Sequence, residues 1–233
     1  MPIQMYDLAA ADERVRFSPF CWRIRMALAH KKLDVETIPW RFTDKPAIAF
    51  SGQGLVPVLL DAGKVVHDSW SIAEHLDSAY PDRPPLMAGP QARALTVFIR
   101  EWTQTFVHPA ILRGVIGDVF SALAECDKAY FRESREKRFG VSLEKFGLPP
   151  EQAVEALAKA LTPARRTIAD QPFLCGDAPA FADYLLYAPF QWARAVSPLE
   201  LLAESDPLRS WQNRMLDLFD GLARNAPRAV AIR

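Results

Sequence analysis

The sequence has no excess of charge of either sign, few cysteines and no long uninterrupted apolar run. Among its 233 residues lysine and arginine total 28, and aspartate and glutamate also total 28, so the formal net charge is zero. A strong attraction to nucleic acid or to an anionic membrane surface requires a basic excess or patch, and we expect neither partner. Hydrophobic residues make up 50% of the chain, which is typical of a globular protein with a substantial core.

The three cysteines, Cys21, Cys126 and Cys175, are odd in number and lack metal-ligand spacing. A disulfide framework is not expected in so large a chain. No two of the four histidines stand at ligand spacing, so no metal site is predicted.

The sequence predicts neither export nor membrane insertion. Its first residues, Met-Pro-Ile-Gln-Met-Tyr-Asp, lack the basic region and apolar run of a signal peptide. A long apolar stretch near Tyr184 is interrupted by Asp183, Gln191 and Arg194, which excludes it as a bilayer-spanning helix. We therefore expect a cytoplasmic protein.

Residues 1–80 alternate short strands with helices. Strands are predicted at 3–8, 35–38, 56–60 and 65–67, long helices at 18–32 and 69–80, and a short polar helix near 44–50. The first two strands are joined through a helix and should be parallel, whereas a turn at 61–64 makes the last two an antiparallel hairpin. The order βαβαββα predicts a thioredoxin-like domain.

Residues 81–90, with four prolines and one glycine, are predicted to be a linker. Residues 91–233 show no strand-like alternation, so a domain built only of helices is expected. Its helices are predicted at about 92–124, 128–139, 151–169, 180–196 and 208–224. Pro109, after His108, should kink or split the first of them.

Ser18-Pro19-Phe20-Cys21 opens the first helix at the position of a thioredoxin-type active-site turn, with serine in place of the leading cysteine. A serine hydroxyl at a helix N-terminus can donate a hydrogen bond to another molecule's thiolate, and the helix dipole favours that negative charge. Serine before proline is equally what simple helix capping requires. The motif alone leaves both roles open.

Val56-Pro57 begins the third predicted strand, where proline cannot donate to the sheet. A cis bond, which costs about 0.5–1 kcal/mol before proline, would turn the backbone groups of Val56 outward toward an extended peptide. The alternative is a trans proline on an edge strand.

Asp68-Ser69 opens the next long helix. Ser69 is expected to cap it, leaving free N–H groups for an anion, while Asp68 would supply a carboxylate for an ammonium; plain capping explains the same pair. Arg41 or Lys45 would meet a second carboxylate, unless each is a surface charge. An extended ligand with a central thiol and a free amino-acid head would suit all these groups. Glutathione has that shape.

Several segments, in order, resemble the serine-type cytosolic glutathione transferases, and in particular the bacterial and fungal etherase-like class. In the first half they are Tyr6-Asp7-Leu8, Ser18-Pro19-Phe20-Cys21-Trp22-Arg23, Ala29-His30-Lys31, Val56-Pro57-Val58, Asp68-Ser69-Trp70, Ile72-Ala73-Glu74 and Tyr80-Pro81-Asp82-Arg83-Pro84. In the second half they are Gly176-Asp177, Pro179, Phe181-Ala182-Asp183-Tyr184, Asp206-Pro207-Leu208-Arg209, Trp211 and Asp217-Leu218-Phe219-Asp220-Gly221-Leu222. The likeness covers nearly the whole chain. It implies a homodimer that couples glutathione to a small aromatic or otherwise activated electrophile, with aryl ethers as a narrower case.

The resemblance also implies residue roles: Ser18 stabilises the thiolate, Val56 pairs with the cysteinyl backbone, and Asp68 and Ser69 bind the γ-glutamyl end. Leu55 departs from the pattern, because glutamine or lysine commonly precedes the Val-Pro pair. Asp68 stands where glutamate is widespread.

Ala180 stands where a serine or threonine usually caps the buried helix, which could forfeit about 1 kcal/mol. Asp183 in that helix is expected to accept backbone N–H bonds and to act structurally. Candidates for lining an electrophile pocket are Phe17, Trp40, Trp102, Phe106, His108 and Phe120. Aromatic residues at helical spacing are more often core. The charged run 132–138 is predicted to be a solvated helix face.

Two other functions remain open from sequence. One is a non-catalytic binding or regulatory protein of the same fold; the other is a glutathione-dependent thiol reductase or isomerase. Serine at 18 disfavours the reductase, because Cys21 has no partner cysteine there for a dithiol cycle.

Overall fold

A computed structural model of the chain describes residues 2–229. Its first half contains β1 (Ile3–Leu8), α1 (Pro19–His30), β2 (Val35–Trp40), a 3-10 helix (Pro46–Ser51), β3 (Val58–Asp61), β4 (Lys64–His67) and α2 (Ser69–Ala79). The strand order is β2-β1-β3-β4. Strand β2 runs parallel to β1, whereas β3 is antiparallel to both β1 and β4. This confirms the predicted thioredoxin-like topology.

The β3–β4 hairpin is tighter than the sequence suggested. Its turn consists of Ala62 and Gly63 alone, both with positive φ, 49° and 84°. A two-residue hairpin turn of this hand requires positive φ at both positions, which glycine adopts without strain. Strand β3 begins at Val58 rather than Val56, so Val56 and Pro57 precede the ladder.

The second half is helical, as predicted. It contains α3 (Gly89–Trp102), a π-helical turn (Thr103–Val107), α4 (His108–Ala122), α5 (Glu125–Phe139), α6 (Leu143–Phe146), α7 (Pro150–Ala160), α8 (Thr162–Asp170), α9 (Phe181–Val196) and α10 (Leu208–Gly221). The division between α3 and α4 falls where Pro109 predicted it. The predicted domain end at 233 lies outside the described residues.

Three predicted helices need correction. The helix at 151–169 is two, α7 and α8, because Pro163 in the first turn of α8 has no N–H with which to continue α7. Helix α10 leaves helical geometry at Leu218, and Phe219 and Asp220 have φ of 55° and 57°. Helix α5 begins at Glu125 rather than Lys128, and the short α6 was not predicted.

Helix α9 holds the two halves together. All but one of its sixteen residues are buried, and it packs against α1, α3 and α4 within one hydrophobic core. A helix that is apolar on every side must be enclosed. Tyr184 on α9 places its hydroxyl 2.6 Å from His30 Nδ1 at the end of α1, so the helix that begins next to Ser18 is fixed from the second half. No helix within residues 2–229 is long and apolar enough to cross a membrane.

Candidate active site

Ser18 is the N-cap of α1 and is almost completely buried. Its Oγ accepts a hydrogen bond from the backbone N–H of Cys21 at 3.2 Å. Capping is therefore one role of this serine. Acceptance occupies a lone pair on the hydroxyl oxygen and leaves the hydroxyl hydrogen free to be donated, so the cap does not preclude the thiolate role.

A cavity of about 360 Å³ opens beside Ser18. Phe17, Trp40 and His108 line it, as the sequence suggested. Its other walls include residues that sequence reasoning missed, namely Phe20, Phe42, Leu112, Phe131, Phe139 and Trp192, together with Arg135 and Arg138. We call this the apolar cavity.

The remaining aromatic candidates do not line the apolar cavity. Phe106 lies on the π-helical turn with 58% of its surface exposed. The Phe120 ring packs against Phe131 and the guanidinium of Arg132, and Trp102 packs against the core. Helical spacing identified an aromatic face but not which side of each helix meets the cavity.

A second cavity of about 280 Å³ adjoins the first, and Phe20, Leu55 and Val56 line both. Val56, Pro57, Asp68 and Ser69 all contribute to its lining, so the structure brings these four predicted residues together. We call this the polar cavity. The Val56–Pro57 bond is cis, as predicted. Within residues 2–229 the Val56 N–H and C=O have no backbone hydrogen-bond partner.

The cap of α2 differs from the prediction. Asp68, with φ of 57°, is the N-cap, and its Oδ1 accepts from the N–H groups of Trp70 at 2.8 Å and Ser71 at 3.0 Å. Ser69 is the first helical residue and is buried. A carboxylate with two oxygens reaches these N–H groups from the residue before the helix, which leaves the Ser69 hydroxyl for other partners.

Arg23 is a component of the polar cavity that sequence reasoning missed. Its side chain is buried, with Nη1 3.5 Å from Ser69 Oγ, and Nε and Nη2 have no hydrogen-bond partner among the described residues. Burial, and after it the neighbouring charge of Arg100, lower the pKa of Arg23 from 12.5 to about 9. A desolvated guanidinium with free donors favours an anionic ligand.

Arg41 and Lys45 do not line either cavity. Arg41 forms a salt bridge with Glu13 at 3.1 Å. Lys45 Nζ donates to the carbonyl of Gly54 at 2.6 Å, beside the Leu55 wall of both cavities. Of the two predicted cations, Lys45 thus lies nearer to the site.

Cys21 is fully buried, and burial raises the pKa of its thiol well above the usual value; the Asp7 carboxylate beneath it adds to this rise. A thiol in this state is a poor nucleophile, so the structure gives Cys21 a packing role in the core. Burial also raises the pKa of Asp7, whose nearest cation is Arg25, 3.7 Å away.

Asp183 accepts hydrogen bonds from the backbone N–H groups of Leu174 at 2.8 Å and Ala180 at 3.3 Å, and from Trp211 Nε1 at 3.0 Å. It thus joins the start of α9 to α10 and to the preceding loop. Its bond from the Ala180 N–H is the half of a capping box that the third helical residue makes, and Ala180 has no side-chain acceptor for the other half. Within residues 2–229 no cluster of His, Cys, Asp and Glu is suited to hold a metal ion.

Two family models match the chain. One described as "Glutathione S-transferase, N-terminal domain" matches residues 17–79, and one described as "Glutathione S-transferase, C-terminal domain" matches residues 94–220. Among curated proteins, glutathione S-transferase omega-1 of Mus musculus is 29% identical over 204 residues, covering 86% of this chain and 74% of its own. The probable glutathione S-transferase GSTU6 of Oryza sativa subsp. japonica is 27% identical over 210 residues, covering 84% and 80%.

Solved structures share the whole architecture. Glutathione transferase GSTFuA3 from Phanerochaete chrysosporium superposes with a TM-score of 0.83 at 26% identity, covering 95% of this chain and 97% of its own. The glutathione S-transferase CsGST63524 of Ceriporiopsis subvermispora, solved in complex with glutathione, has a TM-score of 0.81 at 24% identity and covers 94% and 97%. At 24% identity, the likeness to CsGST63524 shows a shared fold and nothing more.

Proposed function

Because this chain belongs to the glutathione S-transferase family, we propose that it binds glutathione in the polar cavity and transfers its sulfur to an electrophile held in the apolar cavity. The observation that carries this proposal is the junction of the two cavities at Phe20, Leu55 and Val56, next to Ser18. A ligand with charged ends in one cavity can thereby present its sulfur to a substrate in the other.

Ser18 would donate its hydroxyl hydrogen to the glutathione thiolate at the N-terminus of α1. Both this bond and the helix dipole favour the ionised sulfur, and so lower the pKa of the bound thiol. The thiolate attacks an electrophilic carbon, a C–S bond forms, and the leaving group departs with its electron pair. Holding both reactants in adjoining cavities supplies much of the rate enhancement.

The γ-glutamyl end would lie at the start of α2. The Ser69 N–H and hydroxyl, with Arg23, suit its carboxylate. Asp68 suits its ammonium, because Oδ1 accepts both backbone N–H bonds of the cap while Oδ2 accepts one bond, from the Ser71 hydroxyl, and has a further lone pair. Val56, whose backbone groups have no backbone partner within residues 2–229, would pair with the cysteinyl backbone. Lys45 is the better placed cation for the glycine carboxylate, because Arg41 is paired with Glu13.

The aromatic walls of the apolar cavity favour an aromatic electrophile, and cleavage of an aryl ether is the narrower case that follows from the etherase-like motifs.

We also propose a homodimer. Leu95 and Phe98 on α3 expose 69% and 68% of their surfaces on one side of the helix, which a second copy would cover. Light scattering of the wild type and of a Leu95→Glu variant tests this, since a monomeric wild type would contradict it.

The function is tested by kinetics with glutathione and a model aromatic electrophile. Ser18→Gly removes the hydroxyl and weakens the helix cap by only a few tenths of a kcal/mol, whereas Ser18→Ala removes both. Both should lower kcat about tenfold or more with little change in the KM for glutathione, and Ser18→Thr should retain activity. Ser78→Ala, an exposed serine of α2, is the matched control.

The outcomes separate the alternative functions. Equal loss of glutathione binding and turnover in Ser18→Gly would contradict the thiolate role. Failure of the wild type to bind glutathione would favour the non-catalytic protein. Disulfide reduction by the wild type would favour the thiol reductase. If this activity appears only in Ser18→Cys, the result supports a transferase in which serine at position 18 prevents dithiol chemistry.

A further inference from the structure

The charged run of α5 does not form a uniformly solvated face, which corrects the prediction for residues 132–138. Arg135 and Arg138, three residues apart and therefore on one side of the helix, both line the apolar cavity. Ser18, at the start of α1, belongs to the lining of the same cavity. The site proposed for the electrophile thus has two cations in its wall.

Neither arginine has a carboxylate partner among residues 2–229. No salt bridge within 4.0 Å involves Arg135 or Arg138, and Arg135 donates only to the hydroxyl of Ser134, at 3.0 Å. The nearby carboxylates of Glu136 and Glu144 are engaged by Arg132, one turn earlier on α5. Of the residues that the structure describes, no aspartate or glutamate lines the apolar cavity. The two positive charges are therefore uncompensated by the protein at this wall.

Arg135 is held in a defined position. Its guanidinium carbon lies 4.9 Å from the centroid of the Phe42 ring and 4.6 Å from that of Phe131. These contacts order the side chain before a ligand arrives, and half-burial removes part of its hydration. A planar, weakly hydrated guanidinium is suited to bind a carboxylate through two parallel hydrogen bonds.

His108 adds a neutral polar group to the same cavity. Its ring stacks on Trp192 at 4.9 Å, and its Nδ1 is buried without a hydrogen-bond partner among the described residues. The apolar cavity therefore combines aromatic walls, the uncharged polar groups of Ser18 and His108, and two cations without a carboxylate partner among the described residues.

We propose that the electrophile is an aromatic compound bearing a carboxylate, which Arg135 and Arg138 bind while the ring packs against the aromatic walls. This inference rests on the proposed function and names its substrate class. For an aryl chloride, the thiolate sulfur forms a bond to the ring carbon and chloride leaves with the bonding pair; the carboxylate is unchanged and serves only as the anchor.

The test uses two conjugates that differ in charge, S-(4-carboxy-2-nitrophenyl)glutathione and S-(4-carbamoyl-2-nitrophenyl)glutathione, with glutathione alone as reference. Calorimetry gives the dissociation constant of each for the wild type, Arg135→Met, Arg138→Met and Lys137→Met. Lys137 is exposed on the same helix, so its variant removes one charge without touching the cavity.

We expect the wild type to bind the carboxylate conjugate about tenfold more tightly than the carboxamide, as a hydrogen bond to a charged group predicts. Arg135→Met and Arg138→Met should abolish this preference, while Lys137→Met and the affinity for glutathione stay within about twofold. A carboxamide bound as tightly as the carboxylate, or an equal loss in Lys137→Met, would overturn the proposal while glutathione binding still supports the proposed function. If glutathione itself does not bind, the proposed function fails, and binding of free 4-chloro-3-nitrobenzoate then tests the two arginines alone. Loss of its binding in Arg135→Met supports the carboxylate site, and unchanged binding in that variant overturns it.

Discussion

The ammonium of Lys31 lies 2.7 Å from Oδ1 of Asp77, and Lys31 is almost completely buried. The same carboxylate accepts hydrogen bonds from the backbone N–H groups of Leu86 and Met87, both at 2.9 Å. One aspartate thus joins the residue after α1, helix α2 and the segment that leads to α3. These hydrogen bonds fix the predicted linker to α2 at Leu86 and Met87.

Replacing Asp77 by alanine should lower the free energy of unfolding by about 3–5 kcal/mol, because Lys31 would be left buried without a counter-charge. Urea denaturation measures this, with Asp82→Ala, an exposed aspartate of the same segment, as the control. Adding Lys31→Met to Asp77→Ala should recover part of the loss, since an apolar side chain then occupies the site. Unchanged stability in Asp77→Ala would show that this ion pair does not stabilise the fold.

Replacing Arg23 by methionine should raise the KM for glutathione about tenfold and leave kcat nearly unchanged. The expected reason is that Arg23 binds the γ-glutamyl carboxylate equally in the ground state and the transition state, so its loss weakens uniform binding. Arg23→Lys should restore part of the affinity. Arg83→Met, at an exposed position, serves as the charge-matched control.

A fall in kcat without a change in KM would contradict this role for Arg23. If Arg23→Met and Arg23→Lys both lose stability, and lysine does not restore glutathione binding, Arg23 is instead a component of the hydrophobic core. Denaturation of each variant distinguishes these results.

Sequence reasoning found the parts of the site that are encoded locally. Ser18 before Pro19, the Val56-Pro57 pair and Asp68 at a helix start each follow from backbone chemistry within a few residues. It missed Arg23, because an arginine between Trp22 and Ile24 gives no signal of whether its head reaches solvent or a cavity. Periodicity identifies a helical face, whereas only tertiary packing decides what that face meets.

The same limit explains α5. The alternation of charges in 132–138 is typical of an exposed helix, and Arg132 with Glu136 conforms to that pattern. The direction of Arg135 depends on how α5 packs against Phe42 of the first half, far away in sequence. In contrast, the break before Pro163 was available from the sequence, since proline in a helix interior removes a donor. The departure at Phe219 has no such local signal.

The pKa of His108 is lowered to about 4 from 6.5, by burial first and then by the charges of Arg23 and Arg138. Between about pH 6.5 and pH 4 the unfolded chain therefore binds a proton that the folded chain does not. The free energy of unfolding should fall as the pH falls through this window, by at most about 1.4 kcal/mol per pH unit from this group. His108→Phe, which preserves a ring against Trp192, should show a flatter curve, while His67→Phe, at an exposed position, should follow the wild type. Urea denaturation at half-unit intervals of pH gives the free energy of unfolding of each protein as a function of pH. Carboxylates that titrate equally in all three proteins cancel when one curve is subtracted from another. Parallel curves for wild type and His108→Phe would mean that His108 is as easily protonated in the folded chain as in the unfolded one, and that its ring is not held neutral beside Arg138.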